Sequence, residues 1–441
     1  MYIKIPSDYH PVFYVIKKIK YKSKNKKIAT VSSKAKGKYL KTLNIGAYKS
    51  SEGMVKDNNC VTADIYSAFG YDGREYYSVY IKTNNSNGYL YSKKDFKTLI
   101  SDALSTSYYD TGVLNIVFEN KTKLYYGQSL FENVLEMLPY TAYVNYGGIY
   151  NLNYLDTSGC ECFDNMFEDA FSAISISKVN FYLPTTFNTA NATSMNRMFM
   201  DFGDDSSNST FTLPTSFDTS KVEDFSGIFY SLNATTLNLP EKFVIAKFNE
   251  GTSRVRSARV ESMFYASEIV YINTKTPLDL RYCEDSICFS RLATLKNQKA
   301  FIDSLDFSYL NDPALSLYCN SDKNFIDYVT NKILAEAKNL TTLRFMYTDI
   351  QADSFTLDFK NNQNITEFTN TFDSVNIKTL ILKNAVISNA ENMFYYCHKN
   401  EYNLTIYVKD AEMQKKIIEV YNQDNPDNPI SASNVIIGSY K

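Results

Sequence analysis

Acid–base and nucleophilic chemistry at neutral pH runs most often through histidine, and this chain of 441 residues has two, His10 and His398. Neither adjoins a nucleophile-elbow string, so a Ser-His-Asp or Cys-His arrangement has no support in the sequence. Seven cysteines stand at 60, 160, 162, 283, 288, 319 and 397, scattered and odd in number. Neither the Cys160-x-Cys162 pair nor Cys283 with Cys288 has the histidines that would complete a four-ligand zinc set. Reduced, buried thiols acting as small hydrophobes are therefore expected. The string "DFGDDSSN" at 201–208 lacks the Gly-rich and catalytic-loop partners of a kinase. As a calcium loop built on Asp201, Asp204, Asp205 and Asn208 it lacks the glycine and terminal glutamate, so a polar loop is expected. "NYGGIY" at 145–150 has two glycines and no phosphate-cradle continuation. Acidic residues number 48, and only geometry would single out a hydrolytic pair among them. The expectation is a non-catalytic protein with no cofactor and no metal.

Charge is distributed unevenly. Residues 1–50 hold thirteen lysines against Asp8, a formal +12, which leaves the remainder at −14 within a net charge of −2. Lys22, Lys24, Lys26 and Lys27 lie between the strand-like runs "VFYVIKKI" and "KIATV", so they read as a solvated hairpin tip. Nucleic acid is not expected as a partner, because the segment has no arginine and no recognised nucleic-acid fold signature accompanies it. No stretch of 18 apolar residues exists, so no membrane span is expected. "PVFYVI" is too short for the apolar core of a signal peptide, and no classical signal is expected.

The elements that would position any functional side chain announce themselves by repetition. "LPTTFNTANATSMNRMF" at 183–199 returns as "LPTSFDTSKVEDFSGIF" at 213–229. Aligned on the final doublet, strong copies carry Met166 and Phe167, Met198 and Phe199, Ile228 and Phe229, Met263 and Phe264, and Met393 and Phe394. Weaker copies fitted by spacing are Cys288 and Phe289, Leu317 and Tyr318, Met346 and Tyr347, and Thr371 and Phe372. Val222, Phe225, Ile228 and Phe229 fall at i, i+3, i+6 and i+7, which predicts a short helix. Upstream, "VNFYLP", "STFTLP" and "TTLNLP" read as strands ended by Pro184, Pro214 and Pro240. Further strands are predicted at "TTLRFM" (341–346), "SFTLDF" (354–359), "KTLILKNA" (378–385) and "NLTIYVKD" (403–410). One such unit cannot enclose its own core, whereas stacked units bury the doublets as a continuous spine. "VLNIVF" (113–118) with "SLFENVLEML" (129–138) reads as an atypical first unit.

The string F-[DN]-T-[SA]-x-[VA]-x-x-[FM]-x-x-[MI]-F resembles the BspA-type leucine-rich repeats found on surface proteins of mycoplasmas and other low-GC bacteria. "LTIYVKDAEMQKKIIEVYN" followed by "NVIIG" is similar to the closing module of such arrays, with Asp410 as helix cap and Met413, Ile417 and Tyr421 inward. The resemblance covers about 150–240 and 385–440 and fades between 280 and 375. It implies an α/β repeat: a leucine-rich-repeat-like solenoid of parallel strands plus short helices, preceded by a small α+β N-terminal domain. The expected domains are a basic α+β docking domain at 1–110, the solenoid at 111–400, and a capping strand-helix-strand at 401–441. Within the first, "EYYSVYIKTNNSNGYLY" reads as a hairpin and "SKKDFKTLISDAL" as a helix capped by Ser92. Functionally the resemblance implies non-catalytic surface recognition. Residues 1–110 would dock to a bacteriophage virion or a cell-surface protein, and the repeats would bind a host-surface glycan or protein. Tyr265, Tyr395 and Tyr396, next to the doublets, are the candidate contacts. A bacterial adhesin whose export signal is missing from this sequence and an intracellular scaffold stay open as alternatives, as does self-association.

Overall fold

The computed structural model describes residues 37–50, 53–69, 74–92, 94–136, 147–172, 181–203, 210–245, 258–267, 269, 271–276, 278–279, 287–288, 298–308, 315–317, 322–397 and 404–438. The lysine-rich start, both histidines, Cys283, Cys319 and the Asp204, Asp205 and Asn208 part of the acidic string lie outside them. The chain is α/β with mixed sheets and packs as two compact units, Met1–Asn191 with Phe202–Ser206, and Ala192–Asp201 with Ser207–Lys441.

The first unit is organised by an eight-stranded sheet. Its strands are Lys38–Ser50 (β1), Gly53–Phe69 (β2), Glu75–Thr83 (β3), Tyr89–Tyr91 (β4), Gly112–Phe118 (β5), Thr122–Tyr126 (β6), Gly148–Tyr150 (β7) and Leu155–Asp156 (β8), in the order β7-β5-β3-β2-β1-β4-β6-β8. The centre is antiparallel and both flanks are parallel. In β2 the side chains alternate, Val61, Ala63, Ile65 and Ser67 buried and Thr62, Asp64 and Tyr66 half-exposed, as a one-sided strand requires. The sheet runs past residue 110, where the sequence reading placed a domain boundary. It also separates the two halves of the expected hairpin: β3 lies against β2 and β5, β4 against β1 and β6. β3 buries Tyr76, Tyr77, Val79, Tyr80 and Ile81, more than an edge strand would cover, so it takes an interior place. The helix Phe96–Leu104 (α1) is capped by Asp95, which accepts from the Thr98 N–H at 2.8 Å, rather than by the expected Ser92, which bonds Lys94 instead.

The doublets belong to a repeating rung whose backbone is not helical. In the rung at 195–201 the N–H groups of Met195, Arg197, Phe199 and Asp201 donate to the carbonyls of Asp224, Ser226, Ile228 and Tyr230, all within 2.8–3.0 Å. The intervening N–H groups of Met198 and Met200 turn back onto Met195 and Arg197. The next rung repeats this, Phe225, Gly227, Phe229 and Ser231 donating to Arg259, Glu261, Met263 and Tyr265. So do 368–374 onto 389–395 and, in the first unit, Ser129, Phe131 and Asn133 onto Asp164, Met166 and Glu168. The unit expected at 129–138 therefore carries the same pattern. Left-handed residues recur four apart around each doublet: Asn165 and Asp169, Arg197 and Asp201, Gly227 and Ser231, Asn370 and Ser374, Asn392 and Tyr396. Left-handed residues within each rung, two in the second unit's rungs and a third at Leu135 and Phe171 in the first unit's, break the i to i−4 ladder, which is why the predicted helix at Val222–Phe229 is a run of turns. "TTLRFM" is likewise a bridge at Thr342 followed by turns, with Phe345 left-handed, and not the predicted strand.

All ten residues of the strong doublets, Met166, Phe167, Met198, Phe199, Ile228, Phe229, Met263, Phe264, Met393 and Phe394, are 0% exposed. Their aromatic members stack from rung to rung, with Phe199 on Phe229 (6.1 Å), Phe229 on Phe264 (5.7 Å), Tyr347 on Phe372 (5.6 Å) and Phe372 on Phe394 (5.7 Å), all within 16° of parallel. Leu317 donates to the Met346 carbonyl, which places it opposite Tyr347 and shifts the doublet fitted there by one residue. Opposite the turns run parallel strands: Thr210–Thr212 (β9), Thr236–Asn238 (β10) and Tyr271–Asn273 (β11), with Phe211, Leu237 and Ile272 in register and buried. Leu278–Asp279 (β12) pairs with Leu305–Asp306 (β14), and Ile287–Cys288 (β13) with Leu315–Ser316 (β15). Gln351–Asp358 (β16), Asn376–Lys383 (β17), Thr405–Val408 (β18) and Val435–Ile437 (β19) close the second unit as one parallel sheet. The helices Gln298–Asp303 (α2) and Lys323–Glu336 (α3) are inserted where the repeat faded in sequence.

The last rung has no successor, and Ala411–Asp424 (α4) supplies a substitute. Asp410 caps α4 by accepting from the Met413 N–H, and Met413, Ile417 and Tyr421 are buried, as the sequence predicts. Asp424 Oδ2 accepts the Phe394 N–H at 2.9 Å and Asn425 Nδ2 donates to the Phe394 carbonyl at 2.7 Å, in place of the next rung's peptide groups. The Tyr421 ring covers Phe394 at 5.4 Å. Two variants test this account by urea denaturation. Phe229→Ala is expected to cost roughly 3–5 kcal/mol, because it opens a void inside a stacked column. Asn425→Ala, which strips the Phe394 carbonyl of its donor, is expected to cost about 1–3 kcal/mol.

Candidate recognition surface

The rung geometry decides which side chains face out. Residues directly after the doublets occupy equivalent outward positions, so Tyr230 and Tyr265 on successive rungs lie with ring centroids 5.0 Å apart and tilted by 31°. Both are half-exposed. Tyr395 occupies the same position on the last rung, and Tyr396 takes the left-handed site beside it. Their rings are 4.1 Å apart, with Tyr395 40% and Tyr396 57% exposed. The Tyr396 hydroxyl, hydrogen-bonded to its neighbour, holds the Tyr395 phenol above its ordinary value. Of the three expected contacts, then, Tyr395 and Tyr396 are brought together, and Tyr265 is set against Tyr230, which the sequence reading missed. Its signal was present as "IFY" at 228–230 beside "MFY" at 263–265. On the strand side, Asn273 Nδ2 donates to Asn238 Oδ1 at 2.8 Å and Asn238 Nδ2 to Thr212 Oγ1 at 2.9 Å, a polar ladder across β9, β10 and β11.

Other polar side chains are committed to holding rungs together. The buried Thr157 hydroxyl donates to the Asn188 carbonyl and accepts the Asn188 N–H, both at 2.7 Å. Buried Thr219 does the same to Val244, again at 2.7 Å each way. These are the threonines of the F-[DN]-T string and its predecessor "LDT". The [DN] residue before them closes a local turn, Asp156, Asn188 and Asp218 accepting from the N–H two residues on.

Two further groups could do chemistry by type. Cys60, Cys160, Cys162 and Cys397 are in no disulfide, and burial pushes Cys160 and Cys397 up to about 12, far from the thiolate a nucleophile needs. In the first unit Lys97 Nζ lies 2.5 Å from Glu136 Oε2 and 4.3 Å over the Tyr108 ring, while Asn133 Nδ2 donates to the Tyr108 hydroxyl at 2.9 Å. Burial, then the nearby carboxylates of Asp95 and Glu136, raise the Tyr108 phenol well above its ordinary value. An amine held in an ion pair is neither a free base nor a nucleophile, so this cluster reads as a tie between α1 and the segment 132–136. Among the described residues no group of three or more His, Cys, Asp or Glu side chains is placed to hold a metal ion, and no helix is long and apolar enough to cross a membrane.

No family model, curated protein or solved structure matches this chain. The surface must therefore be read from its own chemistry. Paired phenols with fixed backbones offer large amphipathic contact area at small entropic cost, which suits recognition of a glycan or protein face.

The charged cluster yields a pH test. Burial raises the Glu132 carboxyl above its ordinary 4.5 in the folded chain, so its ionised form opposes folding above that folded value. Glu132→Gln is expected to raise Tm at pH 7. The gain should shrink as pH falls through the raised folded value and vanish below about 4.5. Thermal melts of both proteins between pH 4 and 7.5 read the difference directly.

Proposed function

We propose that this protein is a non-catalytic surface-recognition protein, a leucine-rich-repeat-like solenoid of BspA type carried on a bacteriophage virion, whose rungs present tyrosines to a host-surface glycan or protein. The observation that carries this reading is the pairing of outward tyrosines, Tyr230 with Tyr265 at equivalent positions of successive rungs and Tyr395 with Tyr396 side by side on the last. A core of stacked rings and buried threonines fixes the backbone, so outward positions are free to specialise for binding. The way polar groups are used supports a non-catalytic role: burial holds the Cys160 and Cys397 thiols protonated, and the buried Lys97 is paired with Glu136. In this reading residues 1–110 dock to the particle and the exposed face points to the host. A cell-surface adhesin would use the same contacts with a different anchor.

Binding of the labelled full chain to intact host cells and to an immobilised glycan panel tests the proposal. Tyr395→Ala with Tyr396→Ala is expected to lower affinity about tenfold or more with Tm unchanged, since large exposed aromatics dominate such contacts. Unchanged binding by this variant, or turnover of a glycan in the same assay, would remove the support.

A further inference from the structure

A second candidate site lies on the first unit. Tyr48 and Lys49 at the end of β1, Asn85 and Asn87 in the turn before β4, Tyr89 on β4 and Lys123 on β6 line a depression of about 450 Å³. Strand register assembles it, because Ala47 stands opposite Tyr89 and Tyr89 opposite Lys123. The turn that forms its wall is held in place. Asn84 donates its N–H to the Cys60 carbonyl at 2.8 Å, the Gly88 N–H bonds the Asn85 carbonyl at 2.9 Å, and the Asn87 N–H bonds Asn85 Oδ1 at 3.0 Å. A side chain at Gly88 would put its Cβ 2.7 Å from the Cys60 Cβ, so only glycine lets the turn sit this close to β2. Tyr89 is steadied by Tyr125 at 6.2 Å, and Lys123 Nζ lies 5.4 Å over the Tyr89 ring.

Two lysines, two tyrosines and two asparagines line it, and no acidic residue is among them. Among the described residues Lys49 has no acidic partner; Lys123 lies over the Tyr89 ring and stands opposite Asp156 of β8, whose Oδ1 is engaged by Ser158, with no ion pair between the two. Two amines in one concavity, neither ion-paired among the described residues, favour an anionic ligand, and the shared wall of the cleft keeps that attraction from being fully screened. The phenol faces suit the C–H side of a sugar ring, and exposed carboxamides suit vicinal hydroxyls. The volume matches one or two sugar units. We propose that this depression binds an acidic saccharide, a pyranose bearing a carboxylate, with Lys49 and Lys123 on the anionic group, Tyr48 and Tyr89 on the ring face and Asn85 and Asn87 on the hydroxyls. This goes beyond the repeat-surface reading and places a ligand site in the part expected to serve as an anchor.

Isothermal titration and saturation-transfer NMR on the full chain test it with 3′-sialyllactose and a hyaluronan tetrasaccharide as acidic probes, lactose as the neutral one, and inorganic phosphate as a bare anion. The expected result is that at least one acidic saccharide binds about tenfold tighter than lactose, weakens as salt rises, and loses about tenfold in Lys49→Ala and again in Lys123→Ala. Both lysines reach solvent, so Tm should stay unchanged; Lys49→Gln and Lys123→Gln repeat the test with the stems kept. Tyr395→Ala with Tyr396→Ala should leave this binding intact, which separates the site from the repeat surface. The proposal is overturned if neither acidic saccharide binds, if lactose binds equally, if phosphate competes as well as the sugars, or if the lysine variants bind like the parent.

Discussion

A rung of this protein cannot satisfy its own backbone. With left-handed residues four apart around each doublet, the N–H groups of every second residue point along the stack and find acceptors on the next rung, as Phe225, Gly227, Phe229 and Ser231 do on Arg259, Glu261, Met263 and Tyr265. A buried donor left without a partner costs about 1–3 kcal/mol, and the rungs at 195–201, 225–231 and 368–374 each send four donors to the next. Neighbours are thus a condition of folding, and the aromatic columns follow from it. Once the ladder fixes the spacing, the rings of Phe199, Phe229 and Phe264 fall nearly parallel at about the distance that offset rings prefer.

The same constraint explains the threonines and the end of the chain. Where strand and turn runs meet, one hydroxyl that both donates and accepts ties two rungs, and Thr157 and Thr219 fill that role in separate units. Valine would have the shape and lack both bonds. At the last rung the unpaired groups of Phe394 would face water or an apolar cap. Asp424 and Asn425 present a carboxylate oxygen and an amide instead, the side-chain equivalent of one more peptide, and burial accordingly holds Asp424 above its ordinary value. The helix α4 is a lid whose final turn imitates the next rung.

Much of this was legible in the sequence because the periodicity was physical. All ten residues of the strong doublets are buried, the strands β9, β10, β16, β17 and β18 overlap the runs read as strands while residues 181–184 of "VNFYLP" form none, and Asp410 caps its helix. What misled was the period. Residues at i, i+3 and i+6 mark one face of a helix, but successive three-residue turns give the same spacing, and Val222, Phe225 and Ile228 are buried in either conformation. The discriminating signal was polar: Asn165, Gly227, Asn370 and Asn392 before the doublet, and Asp169, Ser231 and Ser374 two residues after it, are types that tolerate left-handed backbone or turn readily. The hairpin between β3 and β4 was misread for another reason. "NNSNG" does make a tight turn, but it folds onto Cys60 of β2, and strand partners are chosen by burial across the whole sheet, which no local window contains.

That division of labour bears on the recognition surface. Every rung position that carries the ladder, the ring column or the threonine tie is fixed in type, and a change there disturbs two neighbours at once. Positions after the doublet are under no such restriction: they hold Glu132 and Glu168 in the first unit, and Met200, Tyr230, Tyr265, Thr348, Asp373 and Tyr395 in the second. An outward column that changes freely while its backbone is held to the ladder's spacing can acquire side chains one at a time, at little cost to folding. Tyrosine recurs in that column at Tyr230, Tyr265 and Tyr395, and where two such rungs are neighbours the Tyr230 and Tyr265 rings meet at the ladder's spacing.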